Sequence, residues 1–180
     1  MFPALETERL LLREIVEDDV QEIFNCFTNS DMLCYYGQEP LTSIEQAKEL
    51  IRSFEKNYHE KRGIRWGIQV KDQKELIGTI GFNLWSPKHK RAEIGYELHP
   101  NYWRMGYAAE AVSEIISFGF NELNFTRIGA VVFIENQSSN KLLTNLRFEK
   151  EGVLRNYMYQ DGVPFDTYVY SLLNPDLISH

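Results

Sequence analysis

Hydrophobic residues along this chain repeat with two different periods. Residues 92–98 alternate apolar and polar side chains, as a strand with one buried face does. After them, one face of a predicted helix carries seven small or apolar residues: Ala108, Ala111, Val112, Ile115, Gly119, Phe120 and Leu123. The residues between them include Pro100 and Gly106. The pattern therefore predicts a strand, a short loop and a helix in succession.

The same periods divide the rest of the chain. Strands are predicted at residues 9–13, 66–70, 76–84, 127–133, 152–159 and 164–173. Helices are predicted at residues 20–27, at 44–58 after a Thr42-x-x-Glu45 capping-box pattern, and from Asn136 or Ser138 onward. Asp161-Gly162 is typical of a hairpin turn. The strand at 127–133 is expected to lie parallel to residues 92–98, after a right-handed crossover.

Composition places the chain among ordinary globular proteins. It has 180 residues, of which 43% are hydrophobic and 25% charged, so we expect one mixed α/β domain over residues 1–180. No apolar run approaches the ~20 residues that span a bilayer. The first six residues lack a signal-peptide pattern, so we expect no membrane association and a cytoplasmic location. The sequence leaves open whether the chain is a monomer or a homodimer.

Charge and ligand spacing limit the possible partners. A formal net charge of −7 argues against direct nucleic-acid binding, and it is compatible with a cationic acceptor. No metal site is expected, because the histidines show no ligand spacing: His59, His89, His99 and His180. No Cys–His or Ser–His arrangement suggests a covalent intermediate.

The start of the predicted helix after Gly106 is a candidate anion site. The first turn of a helix has N–H groups without an intrahelical partner and carries partial positive charge. Small residues there, Gly106, Ala108 and Ala109, let a phosphate or diphosphate approach the backbone. An ordinary crossover that binds nothing is the alternative interpretation.

Two common phosphate-binding loops are absent from this region. It has no G-x-x-x-x-G-K-[ST] sequence and, with Gly106 alone, no G-x-G-x-x-G sequence. Residues 103–108, Trp-Arg-Met-Gly-Tyr-Ala, instead resemble the acyl-CoA signature [QR]-x-x-G-x-[GA] of the GNAT N-acetyltransferase superfamily, with tryptophan in the Gln/Arg position.

Nearly the whole chain resembles one branch of this superfamily, the RimJ/RimL-like ribosomal-protein N-acetyltransferases. Its P-x-Y-W-G-K-G-Y-A-x-E-A sequence is similar to residues 100–111, where Arg104-Met105 replaces the usual Gly-Lys pair. Three shorter elements follow the same order along the chain: T-E-R-L-x-L-R at residues 7–13, N-x-x-S at 136–139, and L-G-F at 146–148, where Arg147 replaces the glycine.

This resemblance implies a GNAT fold: a central mixed, mostly antiparallel sheet of six to seven strands, splayed between two parallel central strands and flanked by about four helices. It implies acetyl-CoA as the cofactor. The residues that it assigns to CoA binding are Leu98, His99, Trp103, Arg104, Met105, Gly106, Tyr107, Ala108, Ala109, Asn136 and Ser139.

Acetyl transfer to an amine needs a base, since a primary amine is largely protonated at neutral pH. Glu93 and Glu97 share one face of the predicted strand, about 13 Å apart along it, too far to act on one bond as a glycosidase pair does. The resemblance makes Glu93 the first choice for the base and Glu97 the second. A salt-bridge role for either glutamate stays open.

The resemblance also supplies the other catalytic groups. It assigns the backbone N–H of Leu98 to the oxyanion and Ser139 to the departing thiolate, for which a helix cap is an equal alternative. The favoured acceptor is the N-terminal amine of a protein, such as a ribosomal protein. A polyamine, aminoglycoside or amino acid is an alternative, as is a non-catalytic CoA-binding module. The candidates for the acceptor pocket are Tyr36, Trp85, Tyr157 and Asp166.

Overall fold

The computed structural model describes residues 1–177 and contains one mixed sheet of eight strands. The strands are β1 (Leu5–Glu6), β2 (Leu10–Glu14), β3 (Ile64–Val70), β4 (Leu76–Ser86), β5 (Arg91–Leu98), β6 (Arg127–Phe133), β7 (Glu149–Gln160) and β8 (Val163–Leu173). Their order across the sheet is β1-β2-β3-β4-β5-β6-β8-β7. Only β5 and β6 pair in parallel among these strands.

Helices cover both faces of the sheet. They are α1 (Val20–Cys26), α2 (Ser30–Leu33), α3 (Ile44–His59), α4 (Tyr107–Asn121) and α5 (Gln137–Asn145). Phe118 of α4 packs edge-on against Trp66 of β3, with ring centroids 5.5 Å apart. On the other face, the ring of Phe54 in α3 lies 5.8 Å from the guanidinium of Arg65. No helix within residues 1–177 has the length and apolar character to cross a membrane.

Close packing of α4 on the sheet depends on Gly119. A Cβ at this position would stand 2.9 Å from the Phe82 ring and 3.0 Å from the Phe125 ring. Both rings are buried and in edge-to-face contact with each other, so neither has room to move. The glycine therefore sets how closely the helix lies on β4.

The fold predicted from the sequence is confirmed, with more elements than expected. The sheet has eight strands rather than six to seven, because two residues of β1 pair with Leu11 and Leu12 of β2 and are too short to show a period. The described residues contain five α-helices rather than about four, since α2 is a separate turn of four residues.

Two local predictions can be compared directly with the structure. The hairpin turn at Asp161-Gly162 is confirmed: both residues have positive φ, 51° and 74°. The capping box was placed one residue too early. Ser43, not Thr42, caps α3 by accepting a hydrogen bond from the Gln46 amide, while the Gln46 side chain accepts one from the Thr42 amide.

Candidate active site

The two parallel strands β5 and β6 separate after a short paired segment. Only residues 91–93 of β5 pair with residues 127–129 of β6. Beyond that point β5 pairs with β4 alone, and β6 pairs with β8 alone. A gap therefore opens between the two strands towards their carboxyl ends, as the resemblance implied.

Backbone amides of β5 line this gap. The His99 N–H donates to the Ile77 carbonyl on β4, at 2.8 Å. Because amides alternate in direction along a strand, the N–H groups of Tyr96 and Leu98 face the opposite side, where β6 has moved away. The Leu98 carbonyl accepts a hydrogen bond from the Trp103 indole at 2.6 Å. The strand end is thus tied to the loop that follows it.

That loop presents the start of α4 to the same region. Gly106 precedes the helix with φ 80°, and Arg104 adopts φ 61°. A left-handed conformation is costly for any residue other than glycine, and Arg104 stands where the resembling branch has glycine. In this chain an arginine therefore adopts the left-handed conformation at position 104. The side chains of Trp103 and Met105 are exposed, as are residues 104 and 106.

Glu97 lies in a buried ion pair. Its Oε2 atom accepts a hydrogen bond from the Thr79 hydroxyl at 2.6 Å and one from Arg65 Nη1 at 3.2 Å. The side chains of Arg65 and Glu97 are 9% and 5% exposed. Arg65 also donates to the Gly95 carbonyl and to the Asn83 side chain, both at 3.2 Å. Both bonds to Glu97 end on Oε2, so one oxygen of this carboxylate is held by protein donors.

Glu93 has a different environment on the same strand face. It is half-buried at the point where β5 and β6 begin to separate. Burial raises the pKa of Glu93 above its usual value, although the positive charges of Arg91 and Arg127 oppose that shift. Within residues 1–177 its carboxylate forms no hydrogen bond or ion pair, in contrast to Glu97. Its proton-accepting oxygens are therefore free.

Ser139 lies across the gap from β5, on the face opposite Glu93. Its hydroxyl is 2.7 Å from the Tyr96 hydroxyl, and this bond connects α5 to β5. Burial raises the pKa of Tyr96, although the hydrogen bond with Ser139 opposes the shift. The Tyr96 hydroxyl therefore stays protonated at neutral pH. The sequence singled out Ser139 by resemblance but gave no signal for this partner.

Two asparagines hold the start of α5. Asn136 caps the helix, its Oδ1 accepting from the Ser139 amide at 3.3 Å. Asn140 donates to the carbonyls of Phe133, Ile134 and Asn136 and accepts from the Tyr170 hydroxyl at 2.6 Å. The end of β6 and the position of Ser139 are fixed by these bonds.

The four acceptor-pocket candidates lie on four segments: Tyr36 in the loop after α2, Trp85 on β4, Tyr157 on β7 and Asp166 on β8. Tyr36 lies on the face of Glu97, whose charge adds to the effect of burial in raising the pKa of this tyrosine. Trp85 packs against Phe125 near the other end of β5, on the α4 face. Asp166 accepts from the Asn156 amide at 2.8 Å.

The terminal hairpin, β7 and β8, contacts the loop after α2. An irregularity between Leu154 and Met158 shifts the pairing of β7 by two residues, so that Met158 lies opposite Phe165. A Cβ at Gly37 would stand 3.0 Å from Met158, and the Gly37 amide donates to Gln160 at 2.9 Å. The loop after α2 thus contacts the hairpin through residues that the sequence did not single out.

Among residues 1–177, no group of three or more His, Cys, Asp or Glu side chains is arranged to hold a metal ion. His180, one of the four histidines considered in the sequence, lies outside the described residues.

Comparison with known proteins agrees with this geometry. Residues 9–149 match the acetyltransferase (GNAT) domain. The uncharacterized N-acetyltransferase YoaA of Bacillus subtilis is 57% identical over 175 residues, 97% of this chain and 99% of that protein.

Two solved structures share the fold. A ribosomal-protein-S5-alanine acetyltransferase from Vibrio fischeri has a TM-score of 0.84 at 26% identity, covering 97% of this chain and 98% of that one. A spermidine N-acetyltransferase from Vibrio cholerae, in complex with CoA and spermine, has a TM-score of 0.83 at 24% identity, covering 93% and 96%. The domain match and the close relative show that the chain belongs to the GNAT family and is an acetyl-CoA-dependent N-acetyltransferase.

Proposed function

We propose that this enzyme acetylates the N-terminal amine of a protein or peptide, with Glu93 as the base. The observation that carries the proposal is the contrast between the two glutamates of β5. Glu97 is held by Arg65 and Thr79, whereas Glu93 lies without a protein partner in the described structure, beside the gap between β5 and β6.

The residues at the start of α4 fit the diphosphate of CoA. The loop is exposed, and a Cβ added at Gly106 would meet one protein atom within 4 Å, Nη2 of Arg9 at 3.2 Å. The first-turn amides of α4 are therefore accessible to an anion. The gap lined by the amides of Tyr96 and Leu98 leads from this point towards Glu93. When bound, acetyl-CoA supplies a thioester carbonyl that the amine attacks.

Glu93 acts as a proton acceptor on one side of the gap. An N-terminal amine has an ordinary pKa of about 8, so that a large part of it is protonated at neutral pH. The raised pKa of Glu93 makes this carboxylate a stronger base than an exposed glutamate. It therefore receives the amine proton, directly or through one water.

Main-chain amides stabilise the negative charge that develops on the carbonyl oxygen. Leu98 was the sequence-based choice, but it lies five residues from Glu93, about 16 Å along the strand. The Tyr96 amide faces the same gap and lies only three residues away, about 10 Å. Both amides stay in the proposal, with Tyr96 as the donor nearer to the base.

Ser139 acts from the opposite side. The protonated Tyr96 hydroxyl is able to donate to the Ser139 oxygen, which leaves the serine O–H free to donate a hydrogen bond to the departing thiolate. Base and acid then lie on different faces of the sheet with the gap between them. This arrangement suits an amine that approaches from one side while the thiol leaves on the other.

Charge on the acceptor face supports an acceptor with a single amine. A polyamine carries several cations, each of which needs a carboxylate when it is bound. The charges that act on the pKa of Glu93, however, are the cations Arg91 and Arg127, and Glu151 is already paired with Arg127 at 2.6 Å. The relatives include both a ribosomal-protein and a spermidine acetyltransferase.

The experiment is a pH–rate profile of the wild type and Glu93→Gln, with a peptide acceptor. The wild-type kcat/KM should rise with pH through an ionisation above the usual glutamate value. Glu93→Gln should lose this ionisation and about 10²-fold or more in kcat, while CoA affinity measured by calorimetry stays the same. Equal profiles for the two proteins would remove Glu93 from the mechanism.

A further inference from the structure

The Thr-Glu-Arg-Leu segment that precedes β2 contacts the first turn of α4. The Glu110 carboxylate accepts hydrogen bonds from the Arg9 amide at 2.8 Å and from the Thr7 hydroxyl at 2.5 Å. Arg9 Nε donates to the same carboxylate at 2.7 Å. Three donors from one short segment, about a hundred residues away in sequence, therefore converge on one glutamate.

Arg9 also reaches the loop before α4. Its Nη1 atom donates to the Met105 carbonyl at 2.9 Å, and its guanidinium lies 4.4 Å from the centre of the Tyr107 ring. The remaining nitrogen, Nη2, stands 3.2 Å from the place of a Cβ at Gly106. Within residues 1–177, Nη2 makes no hydrogen bond to protein.

Glu110 places a negative charge in the first turn of α4, where the diphosphate is proposed to bind. A carboxylate in the first turn is favourable in the free protein, but it repels a diphosphate brought to the same turn. Burial tends to raise the pKa of Glu110, and the bonds from Thr7 and Arg9 outweigh it and lower the pKa. The glutamate is therefore ionised, and its charge is compensated by the neighbouring guanidinium.

We propose that Arg9 is a positioning residue for the CoA diphosphate. It fixes the loop before α4 through the Met105 carbonyl, compensates the charge of Glu110, and directs Nη2 towards the amides after Gly106. This gives the Thr-Glu-Arg-Leu segment a role in cofactor binding. The inference rests on the proposed function, in which the diphosphate lies at the start of α4.

Calorimetric titration with CoA tests this role directly. Arg9→Met should weaken CoA binding by about tenfold or more, the usual effect of losing a charged hydrogen bond. Arg9→Lys should also weaken it, because an ammonium cannot bond the carbonyl and the carboxylate in the fork geometry of arginine. The matched control is Arg62→Met, which removes the same charge from an exposed ion pair with Glu60 and should bind CoA like the wild type.

A second readout separates positioning from general damage. S-acetylpantetheine lacks the diphosphate, so Arg9→Met should use it at the wild-type rate. Equal CoA affinity in the wild type, Arg9→Met and Arg9→Lys would overturn the inference, as would an equal loss with S-acetylpantetheine. Gly106→Val tests the underlying site: if this variant also bound CoA normally, the proposed location of the diphosphate would be wrong. If only Gly106→Val lost binding, the location would stand and Arg9 would have no role.

Discussion

Replacing Glu97 by glutamine should destabilise the protein, whereas the same change at Glu93 should not. Glu97 and Arg65 are 3.2 Å apart and almost fully buried. At an effective dielectric constant of about 20, their attraction is about 5 kcal/mol, and it offsets the desolvation of both ions. Glu97→Gln leaves the Arg65 charge buried without its partner.

Breaking a buried ion pair from one side costs roughly 3–5 kcal/mol. Because glutamine can still accept from Thr79, we expect a loss near the lower end, about 3 kcal/mol. For a protein of this size, that lowers the thermal midpoint by roughly 6–12 °C. Urea unfolding followed by circular dichroism gives the free energy of unfolding, and a temperature scan of the same signal gives the thermal midpoint.

Glu93→Gln is the matched control, and its effect on the free energy of unfolding should have the opposite sign. The pKa of Glu93 is raised in the folded state, so the folded protein favours the protonated form, and this contribution to stability is lost as pH rises through the folded pKa. At neutral pH, glutamine should therefore leave stability unchanged or slightly higher, while turnover falls. The reasoning would be refuted if Glu97→Gln kept the wild-type midpoint and lost turnover, because Glu97 would then be the base.

Other variants test separate parts of the structure. Arg147 has φ 67°, so Arg147→Gly should raise the free energy of unfolding by about 1 kcal/mol or less, whereas Arg147→Ala, which keeps the left-handed strain, should give no gain in thermal unfolding. Ser139→Ala should lower kcat by about 10²-fold with little change in CoA affinity; a lower midpoint with normal kcat would make Ser139 a helix residue only. Tyr96→Phe should reduce kcat less, since the serine keeps its own proton.

Local sequence patterns were sufficient to predict the central strand, the loop after it and the helix α4. Residues 92–98 alternate strictly, and the apolar residues after Gly106 follow one helical face, so period and length both indicated the right element. The hairpin was equally clear, since Asp-Gly is one of the few pairs that readily adopts positive φ at both positions.

Long-range pairing limited the prediction of the site. Alternation placed Glu93 and Glu97 on one face, but the two differ because Arg65 stands beside Glu97, across β4 and 32 residues earlier. Nothing local to Glu97 indicates that partner. The same holds for Arg9 and Glu110, which lie 101 residues apart.

A backbone irregularity limited the prediction of how β7 pairs with β8. Tyr157 was a candidate on the terminal hairpin, but its side chain is exposed, and Met158 is the residue that lies opposite Phe165. The pairing shifts by two residues between Leu154 and Met158, which a regular hairpin register does not predict. Its signal in the sequence is weak, since Asn156, with φ 49°, is the only turn-like residue there.

The most direct test of the proposed function is acetyl transfer from acetyl-CoA to a matched panel of acceptors, with each product identified by mass spectrometry. The panel should contain a peptide with a free N-terminus, the same peptide blocked at that amine, and spermidine. We predict one acetyl group on the α-amine of the free peptide and little transfer to the other two. Preferred acetylation of spermidine would contradict the acceptor assignment, and CoA binding without transfer to any amine would contradict the proposed reaction.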